Sequence, residues 1–93
     1  MTPAEIVFVR TTFSLTQKSL AKSMNVSPHT VMRWEAGTNE PTGLQEEVLR
    51  ALHNVALEVK ANNDAAKQAL VGGLIALGVG ALIFYLLKQS VDA

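Results

Sequence analysis

A chain of 93 residues has room for one small domain and little more. Its eight basic and eight acidic side chains leave no net charge, so the sequence lacks the strong positive balance that is typical of nucleic-acid binding. Without cysteine it can form neither a disulfide framework nor a cysteine-based zinc site.

The first two predicted helices each begin with a capping signal. Thr2-Pro3-Ala4-Glu5 is a capping box with proline at the first helical position. Thr16 can cap a second helix over about residues 17–23. The first helix carries apolar residues on one face, at Ile6, Val9 and Phe13.

Turn residues mark the limits of the third helix. Asn25 tolerates the left-handed conformation and fits a tight turn after the second helix. Ser27-Pro28 opens a helix that runs to about Glu35, and Gly37 is suited to end it.

A fourth helix follows the loop that contains Pro41. Thr42 and Gln45 could cap it, and its apolar positions follow the helical period at Leu44, Val48, Leu52, Val55 or Ala56, and Val59. The polar junction Asn62-Asn63-Asp64 could break this helix or merely fray it. Since the chain is predicted to be helical again from Ala65, the whole sequence is predicted to be all-α.

The stretch from Gln17 to Glu35 has the pattern of a helix-turn-helix unit. Two helices that cross steeply over a tight turn need a small side chain in the first helix, which Ala21 supplies, and a turn residue able to adopt positive φ, which Asn25 supplies. The inward faces of both helices are formed by Leu20, Met24, Val26, Val31 and Trp34. The outward face of the second helix remains for contacts with a partner.

In these positions the sequence resembles the phage-repressor/Cro (XRE) family, over about residues 2–57. The residues that carry the resemblance are Leu15-Thr16-Gln17, Leu20-Ala21, Val26-Ser27, Thr30-Val31 and Arg33-Trp34-Glu35-Ala36-Gly37. The sequence departs from the family at Asn25, where most members have glycine, and in the loop after the third helix, which is acidic here and often basic in the family. The resemblance implies a four- or five-helix repressor-like domain.

The resemblance also implies a double-stranded DNA partner, with the third helix in the major groove. The side chains expected at base edges are Ser27, Pro28, His29 and Arg33. Thr30 would contact a phosphate or a base, and Gln17 would bond a phosphate with help from its helix N-terminus. Arg10 and Glu35 occupy positions that form an internal ion pair in some relatives.

Each candidate contact has a plain alternative. Arg33 could fork onto a guanine or be a solvated surface arginine, and His29 could read a base or simply lie exposed. Lys18 and Lys22 could steer the domain toward phosphates or form a solvated face. The sequence contains no catalytic triad, phosphate-cradling glycine loop or metal-spaced carboxylate cluster. It therefore predicts neither an enzyme nor a cofactor or metal site.

A long apolar run occupies the C-terminal part of the chain. Residues 69–87 contain no charged side chain and, at about 1.5 Å per residue, nearly match a hydrocarbon core of roughly 30 Å. The sequence therefore predicts a domain over 1–60, a juxtamembrane linker over 61–67, a transmembrane helix over 68–88 and a short tail over 89–93. The alternative is a buried hairpin or the core of a soluble oligomer.

The lysines that flank the run predict its orientation in the membrane, and the small residues within it predict self-association. Lys60 and Lys67 precede it and only Lys88 follows it closely, which is a weak positive-inside bias. This bias and the helix-turn-helix domain itself, which would act in the cytoplasm, predict a single-pass protein of bacterial or phage origin in the inner membrane, with the N-terminal domain in the cytoplasm. Small residues recur one turn apart at Ala69, Gly72, Ala76 and Gly80. Such a stripe favours a homo-oligomer, although glycine and alanine are also common in membrane helices. A dimer would suit two DNA half-sites about 34 Å apart.

Together these features predict a membrane-anchored, sequence-specific DNA-binding regulator of the repressor/Cro type. The alternative is a membrane-tethered adaptor that uses the helix-turn-helix fold to bind a cytoplasmic protein. The neutral charge balance and the acidic loop at residues 38–41 favour this alternative.

Overall fold

Five α-helices make up the computed structural model, which describes the backbone of residues 1–77 and the side chains of residues 1–75; this part of the chain holds no strand. In chain order the helices are α1 (Pro3–Thr12), α2 (Gln17–Met24), α3 (Pro28–Ala36), α4 (Gly43–Asn62) and α5 (Ala65–Leu77). The prediction of an all-α chain is confirmed for these residues.

The predicted caps form at the first two helices. The Glu5 backbone N–H donates to Thr2 Oγ1 at 3.1 Å and the Thr2 N–H donates to Glu5 Oε1 at 2.8 Å, which completes the capping box. Thr16 Oγ1 accepts from the Ser19 N–H at 3.0 Å. At the start of α4, Thr42 occupies the N-cap position but its side chain makes no capping hydrogen bond. The first turn of α4 is held by a backbone bond, from the Glu46 N–H to the Thr42 carbonyl at 3.4 Å.

All five helices contribute to one hydrophobic core. α1 packs against α3 and α4, α2 packs against α3 and α5, and α4 also contacts α5. The buried apolar residues are Ile6, Val9, Phe13, Leu20, Ala21, Met24, Val31, Trp34, Val48, Leu49, Leu52, Ala56, Val59, Val71 and Ile75. Leu44, predicted on the apolar face of the fourth helix, is 56% exposed, and the inward face of α4 begins instead at Val48 and Leu49.

The polar junction at residues 62–64 breaks the helix. Asn63 adopts the left-handed conformation with φ of 50° and ends α4. Asp64 Oδ1 then accepts from the Lys67 N–H at 3.0 Å, which caps α5 in the manner of an N-cap carboxylate. Lys67 Nζ also donates to Glu58 Oε1 at 2.9 Å. The predicted linker, 61–67, thus holds the end of α4, this turn and the first residues of α5.

The core extends beyond residue 60 into α5. Val71 and Ile75, four residues apart on one side of α5, are almost completely buried. Gln68 Nε2 donates to the carbonyl oxygen of Thr12 at the end of α1. Within residues 1–77, no helix combines the length and the apolarity needed to cross a membrane. The rest of the predicted span and the tail, from residue 78 to 93, lie outside the described residues.

Candidate nucleic-acid interface

A tight turn at Asn25 joins α2 to α3. Asn25 has φ of 58° and ψ of 42°, the left-handed conformation predicted for this position. Its N–H donates to the Lys22 carbonyl at 3.2 Å, and the Val26 N–H donates to the Ala21 carbonyl at 3.0 Å. These two bonds form a Schellman motif, which satisfies carbonyls at the end of α2 and fixes the direction in which the chain leaves it. We refer to residues 17–36 as the α2–turn–α3 unit.

Apolar packing holds the two helices of this unit together. Leu20, Ala21 and Met24 of α2 are buried, as are Val31 and Trp34 of α3. Ala21 is 1% exposed, which fits the need for a small side chain where two helices approach closely. Because the inward side of α3 is occupied by Val31 and Trp34, its other side remains at the molecular surface.

The N-terminus of α3 is capped by a pair of hydroxyls. Ser27 Oγ accepts from the Thr30 N–H at 3.3 Å, and the two hydroxyl oxygens of these residues lie 3.1 Å apart. Pro28, at the first helical position, is exposed beside them. Ser27 and Thr30 therefore hold each other in place at the surface, and each hydroxyl keeps remaining capacity for hydrogen bonding.

Three side chains project from the outward face of α3. His29, Met32 and Arg33 are exposed at helical spacings of three and four residues, and Met32 retains 45% of its surface. Within residues 1–75 no carboxylate lies at ion-pair distance from Arg33. Sequence reasoning did not single out Met32, although its place three residues after His29 and outside the inward apolar set could have identified it.

Helix α2 carries one polar side chain that is hydrogen-bonded within the protein and two that are exposed to solvent. Gln17 Nε2 donates to Glu35 Oε1 at 3.1 Å, so one amide hydrogen of the residue predicted to bond a phosphate is used inside the protein. Its second amide hydrogen is not used in this contact. Lys18 and Lys22 are exposed one turn apart, with no ion-pair partner among the residues described.

The structure brings Arg10 and Glu35 together in a bidentate ion pair. Arg10 Nε lies 2.7 Å from Glu35 Oε2, and Arg10 Nη2 lies 3.0 Å from Glu35 Oε1. Arg10 Nη1 also donates to the Leu15 carbonyl at 3.1 Å. The side chains are only 20% and 9% exposed, so the contact ties α1, the α1–α2 loop and α3 together away from bulk water. The negative charge of Glu35 is compensated where it stands.

Other carboxylates pair away from the α2–turn–α3 unit. Arg50 Nη2 lies 2.7 Å from Glu46 Oε1 on α4, and Lys67 pairs with Glu58 across the α4–α5 turn. Glu5 lies 3.8 Å from His53 Nε2, whose ring meets Phe8 edge to face at 5.8 Å. The cations without an ion-pair partner among the described residues include Lys18, Lys22 and Arg33 on the α2–turn–α3 unit and Lys60 on α4.

A shallow groove of ≈ 590 Å³ lies beside α3. Its walls come from α3, the α3–α4 loop and the first turn of α4, and they combine apolar and polar side chains. The lining residues are Val26, Thr30, Trp34, Thr38, Asn39, Glu40, Pro41, Thr42 and Gln45. Sequence reasoning did not predict this groove, because it depends on how the loop folds back against α3.

The predicted stripe of small residues is only partly described. Ala69 is exposed, whereas Gly72 is partly buried against α1: a Cβ at this position would lie 3.7 Å from the Phe13 carbonyl oxygen. In the described conformation Gly72 therefore faces the N-terminal domain. The side chain of Ala76 and all of Gly80 lie outside the described residues.

In comparisons with known proteins the chain matches no protein-family model, no curated protein and no solved structure. The use of the α2–turn–α3 unit is therefore argued from its own geometry and charge.

Proposed function

We propose that the protein is a membrane-anchored, sequence-specific DNA-binding regulator of the repressor/Cro type. The observation that carries the proposal is the outward face of α3, where Arg33 projects without a carboxylate partner among residues 1–75 and His29 and Met32 stand beside it. The DNA major groove is wide enough to admit an α-helix. Helix α3 lies at the surface, is capped at its N-terminus and exposes an arginine, so it suits this groove.

The mechanism of recognition would combine base and phosphate contacts. With α3 in the major groove, Arg33 would donate two hydrogen bonds to the O6 and N7 atoms of a guanine, worth about 1–3 kcal/mol of discrimination. His29 would contact a neighbouring base edge. Lys18 and Lys22 would neutralise phosphates, which strengthens binding without reading sequence.

The membrane half of the proposal rests on the uncharged run at residues 69–87 and on the lysines that bracket it, Lys67 and Lys88. A tether of this kind confines the domain to DNA near the inner membrane and raises the effective concentration of reading heads there. Association through Ala69, Gly72, Ala76 and Gly80 would pair two such heads for two half-sites, and it requires that Gly72 leave its place beside the Phe13 carbonyl.

The test uses the full chain, because Val71 and Ile75 belong to the core and a fragment ending at residue 60 would lack them. The protein is reconstituted in lipid nanodiscs and mixed with a library of random DNA duplexes, and bound duplexes are sequenced. Arg33→Ala is expected to weaken binding to the selected sites by about tenfold or more. Arg50→Ala is the matched control, since Arg50 is also an exposed helical arginine but lies on α4.

Two results would contradict the proposal. If Arg33→Ala and Arg50→Ala bind the selected duplexes equally well, α3 is not the recognition helix. If no sequence is enriched at any salt concentration, with the protein in nanodiscs or free of lipid, the domain does not read DNA. A true phosphate role for Lys18 would appear as a smaller salt dependence in Lys18→Ala, by about one unit in the slope of log K against log salt.

The groove beside α3 favours a second candidate, a membrane-tethered adaptor that binds a cytoplasmic protein. The groove is lined by Trp34 and Pro41, which are largely buried, and by the exposed carboxylate of Glu40. A photo-crosslinking residue at Asn39, in the groove, is compared in cells with one at Asn54, exposed on α4. The adaptor predicts a discrete protein adduct at position 39 alone, whereas the regulator predicts none at either position.

A further inference from the structure

Helix α5 is part of the domain core. Val71 and Ile75 are 0% and 2% exposed, and the Gln68 side chain is bonded to the Thr12 carbonyl. The helix packs against α2, the first helix of the proposed reading unit, and against α4. Its removal would therefore uncover part of α2.

The same residues also begin the uncharged run at 69–87. If α5 keeps Val71 and Ile75 in the core, the apolar residues left for a span are 76–87, which cover about 18 Å as a helix. A hydrocarbon core of roughly 30 Å requires the whole run. Docking of α5 on the domain and full insertion of the run are therefore mutually exclusive.

Lipid can compete with the protein core for α5, because docked α5 leaves apolar residues exposed. Ala66, Ala69, Leu70 and Gly73 are exposed when α5 is docked, and Leu70 retains 53% of its surface. A helix that is apolar on both its buried and its exposed sides fits a wholly apolar surrounding better than a half-buried one. A bilayer would cover both sides, whereas the docked state covers only one.

We propose that α5 exchanges between two positions, docked on α2 and α4 or inserted in the bilayer, and that insertion loosens the α2–turn–α3 unit. This inference rests on the membrane anchoring proposed above and adds a form of regulation to it. Because the coupling of two binding events is reciprocal, a bilayer that removes α5 weakens DNA binding, and DNA that favours the docked domain weakens insertion. The higher local concentration that the anchor provides would then be set against a looser α2–turn–α3 unit in the inserted state, so that membrane and DNA compete for one chain.

Hydrogen exchange of the α2 amides in the full chain tests this exchange of positions. The protein is mixed with phosphatidylcholine–phosphatidylglycerol vesicles, and insertion is measured separately as resistance to alkaline carbonate extraction. Leu82→Lys places a charge within the run and is expected to disfavour insertion, whereas Leu82→Ala keeps the run uncharged. Titration of vesicles into the wild-type chain gives the same comparison without any variant.

The expected result is exchange of the α2 amides about tenfold faster or more in vesicle-inserted wild-type and Leu82→Ala protein than in Leu82→Lys protein. DNA affinity should fall in parallel as vesicles are added. If the wild-type chain resists extraction while its α2 amides exchange at the Leu82→Lys rate, the inference is overturned and the anchor stands. If carbonate extracts the wild-type chain, the proposed anchor itself fails, and the inference fails with it.

Discussion

Replacing Glu35 with glutamine is expected to lower the free energy of unfolding by about 2–4 kcal/mol. The Glu35 carboxylate accepts two hydrogen bonds from Arg10, at 2.7 and 3.0 Å, and one from Gln17 at 3.1 Å. Glutamine preserves the shape but removes the charge and one of the two acceptor oxygens. Arg10 would keep its charge in a site where only 20% of its side chain meets water. That residual exposure places the expected loss below that of a fully buried pair.

A surface pair in the same chain provides the control. Glu46 and Arg50 also meet at 2.7 Å, but their side chains are 34% and 60% exposed. Glu46→Gln is therefore expected to change the free energy of unfolding by less than about 0.5 kcal/mol. Both variants are measured by urea denaturation followed through the fluorescence of Trp34, the single tryptophan, which is buried on α3. Equal midpoints and slopes for the two variants would refute the argument from burial.

Three further changes are expected to follow from single residues. The Thr12 hydroxyl is buried and has no hydrogen-bond partner among the described residues, so Thr12→Val should raise the free energy of unfolding by about 1 kcal/mol in the same urea assay. Asn25→Val should lower it by about 1–2 kcal/mol, because a β-branched residue is strained at φ of 58°, while Asn25→Gly should be nearly neutral. Hydrogen bonds from Thr2 lower the pKa of Glu5 below 4.5, the bond from the Thr2 backbone N–H more than the bond from its side chain. The ionised Glu5 therefore contributes to the free energy of unfolding above pH 4.5, and this contribution is lost as the pH falls below that value. Urea midpoints between pH 3 and 6 should therefore fall less steeply on acidification in Glu5→Gln than in the wild type.

Local signals in the sequence predicted the first three helices well. Thr2, Thr16 and Ser27 cap helices as expected, because an N-cap side chain bonds an N–H only two or three residues away. Asn25 and Gly37 adopt the positive φ expected of them for the same reason. Such features depend on near neighbours in the chain, so a short stretch of sequence is sufficient to predict them.

Contacts between distant residues were less predictable. The sequence predicts that Gln17 bonds a phosphate, and the structure adds a contact that the sequence does not predict, between its amide and Glu35, eighteen residues away along the chain. The apolar run that begins at Ala69 predicts a lipid-facing helix, whereas its described residues include Val71 and Ile75 in the core. An uninterrupted apolar sequence has the same composition whether its partner is lipid or protein, so periodicity alone could not separate the two.

A neutral net charge is compatible with a DNA-binding surface when the acidic residues are neutralised elsewhere. In the described part of the chain, Glu35, Glu46 and Glu58 each have a basic partner within 3 Å, and these pairs lie inside the fold or on α4 and α5. Lys18, Lys22 and Arg33 have no such partner there. Ion pairs cancel at short range, and screening limits surface fields to about 8–10 Å in physiological salt. DNA that approaches α3 would therefore meet these three cations and, on the α3–α4 loop, the exposed carboxylate of Glu40, rather than the average of the chain. Few phosphate contacts are therefore compatible with recognition, provided that the domain is held near DNA or acts as a pair.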